Sequence, residues 1–271
     1  MECDTKYPIM LIHGVSFRDR KHIRYWGRIP ASLEARGAKI YYGCQDGWGT
    51  IEYNGRVLKD NINKILDETG CEKINLIAHS KGGLDARCMI SSYNMAEKTA
   101  SLTTIGTPHR GSKTIDIACK FPKWLFRIAA FIINSLFKLL GDKKPDFYTA
   151  GKQFRTPDMM AFNERNPDMP GVYYQSYAGV MKNPFSDIIL SIPYLIISRI
   201  EGENDGLVAL SSAEWTNFSG VLQGTTRRGI SHADEIDARR MNFTKKPSDT
   251  GISDIREFYI SVVSGLKQRG L

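Results

Sequence analysis

Residues 73–83 read Lys73-Ile74-Asn75-Leu76-Ile77-Ala78-His79-Ser80-Lys81-Gly82-Gly83, and the fold is decided in this stretch. Lys73 to Ala78 is a short, nearly continuous apolar run, as a strand buried on both faces should be. Leu84 to Ile90 reads as helix. Between them stands a small-x-Ser-x-Gly sequence, Ala78 to Gly82. A strand that turns directly into a helix leaves no room for side chains at the two flanks, so Ala78 and Gly82 are small; Ala78 takes the place more usual for Gly. Such a turn projects the Ser80 hydroxyl from the C-terminal edge of a sheet. The helix N-terminus sets positive dipole and free N–H groups beside it. In this context the serine reads as the nucleophile of a strand–turn–helix elbow rather than as an ordinary turn residue.

The surrounding chain repeats the alternation. Tyr7 to Ile12 and Ala38 to Tyr42 read as strands, ending in His13-Gly14 and Gly43. Trp26 to Arg36 carries Ile29, Leu33 and Ala35 on a helical stripe that stops at Gly37, and Val57 to Thr69 repeats the design with Gly70 as its stop. Further strands are expected at Ser101 to Ile105 and Val172 to Tyr177, and a closing helix at Ser253 to Lys267. This is the α/β class, a mostly parallel central sheet with helices on both faces. The 271 residues are 42% hydrophobic and 24% charged, with no Pro/Gly/Ser-rich linker, so residues 1–271 are read as one domain.

Residues 113–150 break the alternation and read as an inserted helical cap, to which 180–200, an apolar stretch containing Pro193, adds a second wall. Lys123, Arg127, Asn134 and Lys138 fall on one helical face, with Trp124, Leu125, Ile128, Phe131, Ile132 and Leu136 over most of the rest. Such a surface either packs on the protein's own core or serves as a lid whose apolar face covers a site and turns to lipid.

A serine hydroxyl needs a base in hydrogen-bond reach and a carboxylate to hold that base's tautomer. His109 and His232 are the histidines beyond the elbow. His232, in Gly-Ile-Ser-His-Ala-Asp before the final helix, is the expected base; His109, in Thr-Pro-His-Arg-Gly-Ser, is expected to line the site. Asp205, in the turn-rich Glu-Asn-Asp-Gly-Leu-Val loop, is the expected acid, the other reading being a cap on a helix from Leu207 to Trp215. For the oxyanion, the backbone N–H groups of Lys81 and Val15 are the candidates, each such donor being worth about 2.7–4 kcal/mol.

Lys+Arg 37 against Asp+Glu 29 gives a net charge of +8, with clusters at Arg18, Arg20, Lys21, Arg24, Arg28 and at Lys143, Lys144. That favours anionic partners, although the same charge also keeps a protein of this size soluble. No basic helix or aromatic stacking platform points to nucleic acid. The five cysteines show no C-x-x-C spacing, so free and mostly buried thiols are expected. The N-terminus has neither a basic n-region nor a separate apolar h-region, so nothing in it directs export. Lys123, Arg127, Asn134 and Lys138 also interrupt the most apolar region, which argues against a spanning helix.

Taken in order, Tyr-Pro-Ile-Met-Leu-Ile-His-Gly, Tyr25-Trp26, Ile-Ala-His-Ser-Lys-Gly-Gly, Thr-Pro-His-Arg-Gly-Ser, Asn-Asp-Gly-Leu-Val and Ser-His-Ala-Asp-Glu resemble bacterial triacylglycerol lipases of the α/β-hydrolase superfamily, of the Pseudomonas–Proteus and thermoalkalophilic Geobacillus types. The likeness is weakest in the cap. It implies an α/β-hydrolase fold, Ser80, Asp205 and His232 as triad, and Val15 and Lys81 as oxyanion hole, with His13, His109, Trp124 and Phe131 about an acyl-ester or lipid substrate. It implies lipid-interface contact through the cap, no organic cofactor, and secretion, which the N-terminus does not support. It also implies a structural Ca²⁺, held by Asp234, two positions after the base, and less closely matched by Asp187. Gly43 to Tyr53 is short and lacks a His cluster, so the zinc of the Geobacillus type is not expected. An esterase or acyltransferase for short soluble acyl esters, and a non-catalytic membrane-binding hydrolase fold, are the alternatives.

Overall fold

The computed structural model describes residues 1–15, 25–224, 228–243 and 251–271. The expected cluster Arg18, Arg20, Lys21 and Arg24 lies outside them. Six strands, β1 (Ile9–Ile12), β2 (Ile40–Tyr42), β3 (Ile74–His79), β4 (Thr99–Ile105), β5 (Tyr173–Gly179) and β6 (Phe218–Leu222), form one sheet in the order β2-β1-β3-β4-β5-β6. Every pairing is parallel, with Leu11 opposite Ile77 and Ile77 opposite Thr103 at the centre. The sheet is therefore open and covered on both sides, and its C-terminal edge gathers the ends of β1, β3, β4 and β5.

Alternation within the buried strands feeds two cores. Ile9, Leu11, Ile77 and Ile105 pack on one face against Trp26, against Ile29 and Leu33 of α1 (Ile29–Glu34), and against Tyr259, Val262 and Val263 of α10 (Ile255–Gln268). Met10, Ile12, Leu76 and Ala78 pack on the other face against Leu58, Ile62 and Leu66 of α2 (Ile51–Thr69) and Ala86, Met89 and Ile90 of α3 (Lys81–Ser92).

The elements differ from expectation in three informative ways. α2 starts earlier, with Thr50 capping the Tyr53 N–H; Asn54 and Gly55 hide its first turns from an apolar count, and Gly55 is where the Tyr93 ring comes close, within 2.9 Å of where a Cβ would stand. β6 was not foreseen because Phe218-Ser-Gly-Val-Leu is a half-buried edge strand with Gly220 at φ +128. The helix expected over Leu207 to Trp215 is only α9 (Leu210–Ala213), and its N-cap position is Ala209 rather than Asp205.

Between β4 and β5 the chain forms α4 (Lys113–Ala118), α5 (Lys123–Leu139), α6 (Phe147–Lys152) and α7 (Thr156–Arg165); after β5 comes α8 (Ser191–Ile200). α5 buries a narrow stripe that includes Ala130 and Phe137, the latter edge-on to Trp48. Asn134 belongs to that inner stripe rather than to a basic face, because its Oδ1 accepts the Phe147 N–H at 2.8 Å. Trp124, Ile128, Phe131, Ile132, Leu136 and Leu139 are exposed. No helix among the described residues is long and apolar enough to cross a membrane. Of the free thiols, Cys3 and Cys88 are buried and Cys44 is exposed.

Candidate active site

Only Ser80 separates β3 from α3. Its backbone sits at φ +55, ψ −134, a conformation costly for a residue with a Cβ, and the surroundings hold it there. Ser80 N–H donates to Ile105 O at 2.9 Å, and Ser80 O accepts the Thr107 hydroxyl at 2.8 Å. A Cβ on Gly82 would meet His13 O at 2.4 Å, and one on Gly83 would meet Thr107 Oγ1 at 2.3 Å. Glycine at both positions thus lets the elbow seat on the ends of β1 and β4. A Cβ on Gly14 would lie 2.6 Å from Ser80 Cβ, which sets the His13-Gly14-Val15 loop directly beside the serine. As the first residue of α3, Lys81 has a backbone N–H with no acceptor inside the helix. Its side chain turns away into the core, where Nζ donates to Asp85 Oδ1 at 2.6 Å. Burial pushes the Asp85 carboxyl up to about 6, against the pull of Lys81 and of the Asn54 amide.

Asp205 and His232 meet as the sequence proposed. The His232 Nδ1 stands 2.7 Å from Asp205 Oδ2, and the two residues are also joined by His232 N–H donating to Asp205 O at 2.8 Å. Asp205 Oδ1 accepts the N–H groups of Leu207 and Val208, so its loop holds the carboxylate in place. The His232 ring lies against that of His79, the residue before Ser80, with centroids 4.3 Å apart. His232 and Ser80 therefore share one corner of the sheet edge.

Three residues that sequence reading did not assign complete this corner. Gly14 N–H donates to the Tyr25 hydroxyl at 2.9 Å, that hydroxyl lies 2.7 Å from His79 Nδ1, and His79 Nε2 lies 2.9 Å from Glu235 Oε2. The same Glu235 oxygen is 3.4 Å from His232 Nδ1, while its other oxygen accepts the Gly179 N–H at 2.6 Å. Burial, reinforced by the neighbouring His232, holds His79 well below the ordinary imidazole range; burial and the Asp205 charge push Glu235 well above the usual carboxyl range. His79, His232 and Glu235 offer nitrogen and oxygen atoms within 4.8 Å of one another, and these contacts with each other account for their closeness. The signal was present in the Tyr-Trp, Ala-His-Ser and Ala-Asp-Glu runs, but nothing in spacing alone brings them together.

Other expected residues stand elsewhere. His13 is fully buried, with ring nitrogens 2.8 Å from Gly14 O and 3.0 Å from Gln45 O, so it ties the end of β1 to the loop after β2 rather than facing a substrate. His109 is also wholly buried: it stacks on Trp215 at 5.1 Å between Arg87 and Thr104, which corrects its assignment to the lining of the site. Trp124 and Phe131 lie on the outer face of α5, 60% and 75% exposed. Asp187 and Asp234 do converge, both within hydrogen-bond distance of the Ser231 hydroxyl, at 3.1 and 2.8 Å. Each carboxylate is, however, already gripped by a guanidinium, Asp187 by Arg239 and Asp234 by Arg228, and this donor set does not fit a Ca²⁺ ion.

No protein-family model matches the chain. It is 28% identical to triacylglycerol lipase 2 of Saccharomyces cerevisiae over 281 residues, covering 98% of this chain and 77% of that protein. It is 27% identical to the triacylglycerol lipase of Pseudomonas fragi, covering 99% and 98%. The mature lipase BlEst2 of Bacillus licheniformis superposes with a TM-score of 0.66 at 23% identity, over 87% of this chain and 88% of that one. The chain has the α/β-hydrolase fold and is similar to triacylglycerol lipases over nearly its whole length.

Proposed function

We propose that the protein is a serine carboxylic-ester hydrolase, a lipase acting on lipid acyl esters. The observation that carries the reading is the Asp205–His232 hydrogen bond of 2.7 Å, set beside the strained elbow that presents Ser80. Ser80 Oγ attacks the ester carbonyl as His232 Nε2 takes its proton. The oxyanion is met by the N–H groups of Lys81 and Val15. His232 then protonates the leaving alcohol, which departs to leave an acyl-Ser80; water, deprotonated by His232, attacks this acyl group and frees the acid and the serine. Asp205 holds the His232 tautomer throughout.

A lipid substrate, rather than a short soluble ester, is favoured by the exposed apolar surface of α5 and by Phe185, Ile188, Ile189 and Ile192, which are also exposed around the start of α8. An apolar surface of this extent marks a contact with lipid or protein. Lys123, Arg127 and Lys138 stand exposed on α5, suited to anionic headgroups. In this reading α4, α5 and α6, with α8, form the cap, and Trp124 and Phe131 serve the interface.

The test is hydrolysis of a series of acyl esters from short soluble to emulsified long-chain substrates, by wild type and Ser80→Ala. Activity that rises with chain length and is lost in the variant is expected; a variant as fast as wild type overturns the assignment. Wild-type protein that binds liposomes yet neither hydrolyses esters nor labels with a fluorophosphonate would instead be a membrane-binding relative without catalysis.

A further inference from the structure

The loop carrying His232 is fastened by two arginine–carboxylate pairs that meet at one hydroxyl. Asp187 lies just beyond the short turn Pro184–Ser186, 3% exposed, and its carboxylate accepts the Ile189 N–H at 3.1 Å and the Leu190 N–H at 3.3 Å. Arg239, just past the His232 loop, engages both oxygens of that carboxylate, Nε at 2.8 Å and Nη2 by a still closer contact. Asp234, 2% exposed, receives the Arg228 Nη2 on both its oxygens, at 3.0 and 2.7 Å. Arg228 Nε in turn donates to Ser186 O at 2.6 Å. Arg228 thus bridges Ser186 and Asp234, while Arg239 ties Asp187 to the chain just past the His232 loop. Between the two carboxylates stands Ser231, whose hydroxyl is within hydrogen-bond distance of both and whose N–H donates to Asp234 at 2.9 Å. Ser231 is covalently joined to His232.

Two buried carboxylates aimed at one point normally call for a cation, since their mutual repulsion has no solvent to screen it. Here the charge is already balanced, one guanidinium for each carboxylate. A Ca²⁺ ion takes six to eight oxygens at about 2.3–2.6 Å, whereas the carboxylate oxygens here are directed at N–H donors. A guanidinium suits the task because its planar fork meets both oxygens of a carboxylate at once and stays protonated at any working pH.

We infer that Arg239 and Arg228 take the place of a divalent cation in fastening the His232 loop, and that Arg239 is a positioning residue for the base. The inference rests on the reading of His232 as general base. It makes hydrolysis independent of divalent cations, and it makes the enzyme acquire a calcium requirement when the arginines are removed.

The experiment compares ester hydrolysis and thermal unfolding with EGTA and with about 5 mM CaCl₂, above the roughly millimolar Kd of weak protein sites. Wild type is expected to show the same kcat and Tm in both. Arg239→Gln is expected to lose about tenfold or more in kcat with KM within about twofold, the mark of a displaced base rather than a lost substrate contact. Arg239→Lys, which keeps the charge and loses the fork, is expected to lose less. Arg228→Gln/Arg239→Gln, with both carboxylates freed, is expected to have a Tm that CaCl₂ raises and a kcat that CaCl₂ restores at least in part. Wild type that loses activity or Tm in EGTA and regains it with CaCl₂ overturns the inference, as does an Arg239→Gln variant equal to wild type, or a double variant indifferent to CaCl₂. The Tm measurements need no hydrolysis, and the wild-type arm needs no variant to fold. Failure of the hydrolase reading, seen as absence of Ser80-dependent turnover, is thereby distinguished from failure of this one.

Discussion

The imidazoles of His79 and His232 lie with centroids 4.3 Å apart, and Glu235 Oε2 is within 2.9 Å of one and 3.4 Å of the other. Two rings this close do not share a charge comfortably, and the environment favours a neutral His79 beside a base that must take up protons. Glu235, pushed well above its ordinary 4.5, keeps its proton in the fold after the unfolded chain has released it. Folding stability is therefore lost as pH rises from about 4.5 through the folded-state value. His79, held well below 6.5, acts in the opposite sense: stability is lost as pH falls below about 6.5, where the unfolded chain gains a proton that the fold refuses. Glu235→Gln is expected to flatten the alkaline limb of a Tm–pH curve and to leave the acid limb. A curve shifted equally at every pH would contradict this account.

Asp205 is not the only carboxylate at the His232 Nδ1, since Glu235 stands 3.4 Å from the same atom. In a Ser-His-Asp triad, altering the acid costs about 10⁴ in kcat when the histidine is left in the wrong tautomer. Here Asp205→Ala is expected to cost about 10²-fold, because removing the Asp205 charge that helps keep Glu235 protonated favours a Glu235 carboxylate able to accept the His232 Nδ1–H, and Asp205→Ala/Glu235→Gln is expected to approach the full ~10⁴ loss. Steady-state kinetics on a soluble ester decides it: strictly additive losses, or a single variant already as inactive as the double, would exclude Glu235 from this part.

The strands around Ser80, its elbow and the meeting of Asp205 with His232 were legible because each lies within a local pattern: an apolar run, a small-residue elbow, a turn-rich acidic loop, a histidine before the last helix. The bridge from Gly14 through Tyr25 and His79 to Glu235 was not, because its members come from four separate segments and meet only when the sheet closes. The same limit explains His109. Its position after β4 is what a site residue has, but Trp215 and Arg87, remote in sequence, enclose it. Asp187 and Asp234 stand as cation ligands only through the resemblance, while the partners that change the meaning, Arg228 and Arg239, carry no periodic signal.

Tyr25 links the loop proposed to bear the oxyanion hole to the base's neighbour, its hydroxyl meeting Gly14 N–H at 2.9 Å and His79 Nδ1 at 2.7 Å. Tyr25→Phe keeps the ring, which packs edge-on to Trp26, and deletes the hydroxyl that makes this junction. Leaving buried polar groups unpaired costs about 1–3 kcal/mol, so a corresponding fall in unfolding free energy is expected. If the Gly14-Val15 turn holds its N–H groups in place through that hydroxyl, kcat falls about tenfold with KM little changed. Denaturant unfolding and kinetics on one substrate separate the two effects; a variant destabilised yet fully active would make Tyr25 a packing residue only.

The outer face of α5 tests the proposed interface most directly. Trp124 and Phe131 are 60% and 75% exposed, so Trp124→Glu/Phe131→Glu is expected to leave Tm nearly unaltered. Each replacement removes apolar area from a lipid-facing surface and adds a negative charge beside Lys123 and Arg127. Turnover of an emulsified long-chain ester, and binding to vesicles containing anionic lipid, should fall by about tenfold or more, since burial of one large aromatic contributes about 1.5–3 kcal/mol. Turnover of a short ester below its solubility limit should stay within about twofold of wild type, because Ser80, His232 and Asp205 are untouched. An equal loss on both substrates would place these two side chains at the acyl-binding site itself, and no loss on either would leave the exposed face of α5 to a different partner.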